Sequence, residues 1–145
     1  MNRKELEIVA SRILARSDRI VYAKRDMNGE LHQIVYAEAD DTAVYFEHFI
    51  NEEECNIVWE KIIRGLAGNP RPKCALFCSI ALISPQYIVD EPWLTENETG
   101  YFLNIEFRTD NCLSFSYADK TKREENFQAL RTFLGLDQKG ARVLN

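Results

Sequence analysis

Few side chains in this 145-residue sequence could do covalent or acid–base chemistry, and none stands at the spacing such chemistry uses. The two histidines, His32 and His48, could supply a metal site or an acid–base pair, because imidazole ligates metals and titrates near neutrality. No third ligand lies near either at a known spacing, so two partly exposed strand residues are the plainer reading. The four cysteines, Cys55, Cys74, Cys78 and Cys112, match neither a zinc nor a redox pattern. Each falls at an apolar position of its element, which predicts reduced thiols in the core. The glycines form no phosphate-cradling loop and no dinucleotide fingerprint, and no serine sits in a nucleophile elbow. With 23 Asp and Glu, paired carboxylates are unavoidable and say nothing about hydrolysis. The expectation is a protein without catalytic residues, metal or cofactor, and so not an enzyme.

What the charged residues do instead is segregate. Between Arg25 and Lys61 stand ten acids, Glu38, Asp40, Asp41 and Glu47 among them, and no Lys or Arg. Between Lys73 and Arg108 stand Asp90, Glu91, Glu96, Glu98 and Glu106, again without a basic residue. Residues 1–25 carry seven basic against three acidic side chains, and residues 108–145 seven against five. A field of one sign suggests steering toward a positively charged partner. Glu52, Glu53 and Glu54 are explained locally, as acids in the first turn of a helix.

The elements that must position these groups follow from periodicity. Asn2 with Glu5 opens a helix whose apolar residues are Leu6, Val9, Ala10, Ile13 and Leu14. Runs at 19–25, 30–38 and 42–50 alternate as strands, the first two joined through Asn28-Gly29. Asn51 caps a second helix with the stripe Cys55, Val58, Trp59, Ile62, Ile63 and Leu66, ended by Gly65, Gly68, Pro70 and Pro72. The nearly continuous apolar run from Lys73 to Ile83 predicts one long central strand buried on both faces. Residues 84–100 read as a loop around Trp93; loops beyond about 12–15 residues in a compact domain are usually functional or disordered. A tryptophan among Asp90, Glu91, Glu96 and Glu98 suits an interface anchor, or a lid over the core. A hairpin follows, with Tyr101, Leu103, Ile105 and Phe107 on one face and a turn at Asp110-Asn111. Thr121 with Glu124 opens a last helix that turns Phe127, Leu130, Phe133 and Leu134 to the core and stops at Gly135. Ile-Val-Tyr-Ala occurs at both 20–23 and 34–37, on neighbouring strands.

The expected fold is therefore α+β, a single domain over 1–145 with 136–145 a flexible tail. About six mainly antiparallel strands and three helices run in the order α-β-β-β-α-β-β-β-α. Apolar residues at 46% and charged residues at 28% are globular values and exclude disorder. The longest nearly apolar run, Cys74 to Ile83, is half of a membrane span, and the first residues lack a secretory signal. A cytoplasmic protein without a membrane partner, monomeric or a weak dimer, is expected.

A small, acidic, cofactor-free α+β chain with an exposed acidic stretch resembles the immunity proteins of bacterial contact-dependent growth inhibition systems. The resemblance rests on size, charge and element order, with the segments Glu-Ala-Asp-Asp at 38–41 and Asp-Glu-Pro-Trp at 90–93. These proteins share no motif, so no family residue is carried over. The resemblance implies a protein that binds and neutralises a cognate toxin domain, often a basic nuclease, whose polyanion an acidic inhibitor would imitate. Contacts would then fall on Glu38, Asp40, Asp41, Glu47, Asp90, Glu91, Trp93, Glu96 and Glu98. The chain also resembles small acidic secretion chaperones, which would show a stable homodimer and apolar grooves. A nucleic-acid-binding sheet domain would need Lys120, Lys122, Arg123 and Arg131 to join the basic first helix in one patch; a net charge of −5 speaks against it.

Overall fold

Local rules set the helix starts. The computed structural model describes residues 1–28, 31–67 and 74–136. Helix α1 spans Arg3–Leu14 and begins with a reciprocal cap: Asn2 Oδ1 accepts from the Glu5 N–H at 2.9 Å, and Glu5 Oε1 accepts from the Asn2 N–H at 3.2 Å. Helix α2, Glu52–Ala67, starts where Asn51 Oδ1 takes the Glu54 N–H at 2.9 Å. Its predicted stripe is the core of the first part of the chain, with Cys55, Val58, Trp59, Ile62 and Leu66 buried against Leu6, Val9, Ala10 and Ile13 of α1. Gly65 does not end α2 but lies inside it. A Cβ there would stand 2.4 Å from Leu14 Cδ2, so glycine allows the two helices their close approach. The other expected terminators, Gly68, Pro70 and Pro72, lie outside the described residues, as do residues 29–30 of the first hairpin and 137–145 of the expected tail.

Five strands form the first sheet, in the order β3-β2-β1-β5-β4 with every neighbour antiparallel. They are β1 Ile20–Asn28, β2 Leu31–Glu38, β3 Val44–Phe49, β4 Ala75–Phe77 and β5 Ala81–Ile83. The two Ile-Val-Tyr-Ala segments face each other, Tyr22 opposite Ala37 and Ala23 opposite Tyr36. The expected long central strand at 73–83 is instead a hairpin at the edge, and β1 takes the centre. The chain reverses at Cys78 and Ser79, both at positive φ (55° and 60°), with the Ile80 N–H bonded to Phe77 O at 3.3 Å. Apolarity reports burial and not direction, and neither Gly nor Asn marks this turn. Its position exposes Cys78, and Cys112 is exposed too, so only Cys55 and Cys74 are the buried thiols expected of all four.

A second antiparallel sheet has the order β6-β7-β8, from β6 Ile88–Asn97, β7 Gly100–Phe107 and β8 Cys112–Tyr117. The expected loop at 84–100 is thus a short 3₁₀ turn at Pro85–Tyr87 and then an edge strand. Pro92 is tolerated there because the register shifts between Val89 and Trp93, with Asp90 at φ 58°. Leu103, Ile105 and Phe107 are buried as their alternation predicts. Helix α3, Lys120–Phe133, is capped two residues earlier than Thr121 predicts: Asp119 Oδ1 accepts from the Thr121 N–H at 2.8 Å. It stops at Gly135, whose φ of 75° is the left-handed conformation glycine takes after a helix. Of its four expected core residues Leu130 is buried, Phe127 and Leu134 are half-buried, and Phe133 is exposed.

The architecture is α+β: among the described residues, three helices and eight strands in two antiparallel sheets, helices and strand runs alternating in the expected order. Two strands more than expected come from the 73–83 hairpin and from β6. Within this order the chain forms two compact units, Met1–Tyr87 and Ile88 onward. No helix among the described residues is long and apolar enough to cross a membrane.

Candidate functional site

Three of the four acids expected to meet a partner from the first unit are met already within the fold, two of them by the chain's own cations. Glu38 is buried at the end of β2, where Arg16 Nη1 donates to its Oε1 at 2.7 Å and Arg19 stands at 4.0 Å. That bond raises the Arg16 pKa further above its ordinary value. Glu47 on β3 pairs with Arg12 at 3.3 Å. Asp41 accepts the Tyr45 hydroxyl and, at 2.9 Å, the Ala43 N–H; the hydroxyl first and the amide second hold its carboxyl below the usual value. The Tyr45 ring lies under the Arg16 guanidinium, 5.4 Å from it, and stacks on Tyr36. The last turn of α1 and the segment after it thus carry Arg12, Arg16 and Arg19 to the strands that carry the acids, so charges segregated along the sequence are interspersed in space. Of the four meander acids, Asp40 is the exposed one.

In the second unit the same holds for two of four acids. Glu91 pairs with Arg131 at 3.4 Å and Glu96 with Arg123 at 3.3 Å, while Asp90 and Glu98 are exposed. Trp93 is 40% exposed and sits opposite Asn104 on β7. Asn104 is buried at the centre of this sheet because its side chain is satisfied across it, donating to Thr95 Oγ1 at 3.0 Å and accepting from Ser114 Oγ at 2.6 Å.

The alternative chemistries lose their residues to the same geometry. His32 pairs in register with Phe49 and His48 with Gln33, so the two imidazoles point to opposite faces of the sheet and cannot share a ligand. Among the described residues no group of three His, Cys, Asp or Glu could hold a metal. Burial pushes the Cys55 thiol up to about 11, which makes it a poor nucleophile. Arg123 is 3% exposed: it donates to Thr95 O at 2.8 Å, pairs with Glu96 and Glu124, and covers the Tyr101 ring. It ties α3 to β6 and cannot reach a phosphate. Arg131 lies over Phe127.

Two surfaces of the first unit were not read as sites from the sequence. On the outward side of α2, Glu52, Glu53, Asn56, Ile57 and Glu60 line one shallow depression. Ile57 is 38% exposed, Arg25 reaches Asn56, and no described cation pairs with Glu52, Glu53 or Glu60. The spacing 52, 53, 56, 57, 60 is one helical face, a signal hidden because first-turn acids have a local explanation. Along β3, Phe46 and His48 stack with ring centroids 6.2 Å apart. With Ile50 just beyond the strand and Leu31 on β2, they continue one exposed strip. Its large apolar side chains are 45–80% exposed, Leu31 least and Ile50 most.

Comparison of the chain with known proteins finds no matching family model, no matching curated protein and no matching solved structure.

Proposed function

We propose that this protein is an immunity protein, an inhibitor that binds and neutralises a cognate toxin domain, that the toxin is a basic nuclease, and that the encounter takes place in the cytoplasm. The observation that carries the reading is the outward face of α2, where Glu52, Glu53 and Glu60 stand around Ile57 and make no ion pair with a described cation. Exposed carboxylates steer a basic partner and can occupy the place of its polyanionic substrate, and an apolar side chain at their centre gives the contact a desolvated anchor. The contact surface is therefore moved from the meander acids, three of which are internally compensated, to α2. The chaperone reading has one observation in its favour, the exposed strip of Leu31, Phe46 and Ile50.

The test is to purify the native complex, express the co-purifying protein alone and ask whether it is toxic. Toxicity relieved by this protein, and restored by Glu53→Lys with Glu60→Lys, is the expected result. The double variant should associate at least about tenfold more slowly, with a weaker dependence on salt. An extended, non-toxic secreted polypeptide in the complex would instead favour the chaperone.

A further inference from the structure

We propose that the outer edge of β3 is a strand-accepting site, whose occupant is an extended basic segment of the partner polypeptide running antiparallel or parallel to Val44–Phe49. The inference rests on the basic partner of the preceding reading and adds how that partner is held.

The four edge strands of the two sheets, β3, β4, β6 and β8, are not equally protected. An edge strand presents every second N–H and C=O outward, and natural proteins guard such rows by shortness, proline, bulges or charge. β4 has three residues, and β6 carries Pro92, a register shift and three acids. β8 turns Cys112, Ser114 and Ser116 outward and offers no large apolar side chain there. β3 is six residues long, without proline, and keeps an unbroken register with β2 from Ala37 opposite Val44 to His32 opposite Phe49. Its one charge, Glu47, is taken by Arg12. Among the described residues no strand lies on its outer side. Beside that open row stands the exposed strip of Phe46, His48 and Ile50, so an added strand would gain side-chain contacts as well as backbone hydrogen bonds.

Charge decides which strand is added. Asp40 is exposed at the start of β3, and Glu52 and Glu53 are exposed just past its end. A second copy pairing antiparallel through β3 would set Asp40 of one copy toward Glu52 and Glu53 of the other, acid against acid. A segment with alternating apolar residues in its middle and Lys or Arg at both ends meets an apolar centre and acidic ends instead.

The probe is a labelled nine-residue peptide of alternating valine and threonine with two lysines at each end, read by fluorescence anisotropy and by hydrogen exchange of the full chain. Expected are saturable binding, new amide protection confined to 44–49, and a loss of at least about tenfold in affinity for Phe46→Lys, which places a natural edge guard on an exposed position. Ile50→Lys, at the most exposed apolar side chain, must behave likewise should Phe46→Lys fold poorly. Equal binding of the same peptide with glutamates at its ends, protection on α2 in place of β3, or unchanged affinity in both variants overturns the proposal. So does concentration-dependent protection of 44–49 without peptide, which would mean that a second copy takes the edge. None of these outcomes touches the toxicity assay, so failure of the strand site and failure of the inhibitor reading are separately visible.

Discussion

The carboxylates of residues 38–47 and those along the outward face of α2 are similarly dense in sequence, yet they stand in opposite electrical situations. Glu38, Asp41 and Glu47 are each answered within the fold, by Arg16, by Tyr45 and by Arg12. Glu52, Glu53 and Glu60 are answered by no described side chain. Acids of the first kind contribute to stability and are spent as recognition groups; acids of the second kind contribute little to stability and remain available. Density of charge in a sequence therefore does not locate a binding surface. What locates it is the balance left after the fold has made its own pairs.

The largest effect sharpens this contrast on α2 itself, whose two sides should separate stability from binding. Trp59 is 1% exposed at the middle of the inner stripe. Trp59→Ala should destabilise by about 3–5 kcal/mol in denaturant titration. An unchanged midpoint would mean that the inner stripe does not hold α2 to the sheet. Next in size is Glu38→Gln, which keeps the side chain's shape and removes its charge. Losing a charged hydrogen bond at a buried carboxylate should cost about 2 kcal/mol, measured the same way. A neutral result would remove the distinction between compensated and free acids.

The helices and the first meander were legible because their signals are local. Asn2 with Glu5, Asn51, and the stripe from Cys55 to Leu66 each state a start or a face within a few residues. The reversal at Cys78-Ser79 was not, since two non-glycine residues there adopt positive φ against their preference and only the tertiary pairing of β4 with β5 and β5 with β1 reveals it. Strand β6 was hidden by its acids and Pro92, features of a guarded edge that also describe a loop. Of the candidate site, the residue types were legible and the pairing was not. Whether Glu38 is free depends on where the end of α1 delivers Arg16, a relation across the fold that spacing does not encode. Arg123 shows the converse: a helix-start arginine that looks solvated is buried by Tyr101, Glu96 and Thr95.

A smaller effect tests the compensation of Asp41 through pH. Its folded pKa lies below the ordinary 3.8 because it accepts from Tyr45 and then from Ala43. A carboxylate depressed in this way adds stability that is fully present above its unfolded pKa and is lost as pH falls through its folded pKa. Tyr45→Phe keeps the ring that stacks on Tyr36 and removes only the hydroxyl. The variant should be less stable than the parent at neutral pH, and the gap should narrow as pH drops below about 4. A gap that stays constant into acid would assign the difference to packing.

The smallest effect is the one expected to be absent. Glu60 stands in the third turn of α2, beyond reach of the dipole effect at the helix start that would complicate Glu52 or Glu53. Exposed and without a described partner, it should tolerate Glu60→Lys with a stability change within about 0.5 kcal/mol. The same substitution reverses the charge at one end of the depression around Ile57, so its consequence should appear in association with a basic partner and not in the melting curve. A destabilisation as large as that of Glu38→Gln would show that Glu60 is held by the fold after all, and the two acidic regions would then no longer differ in kind.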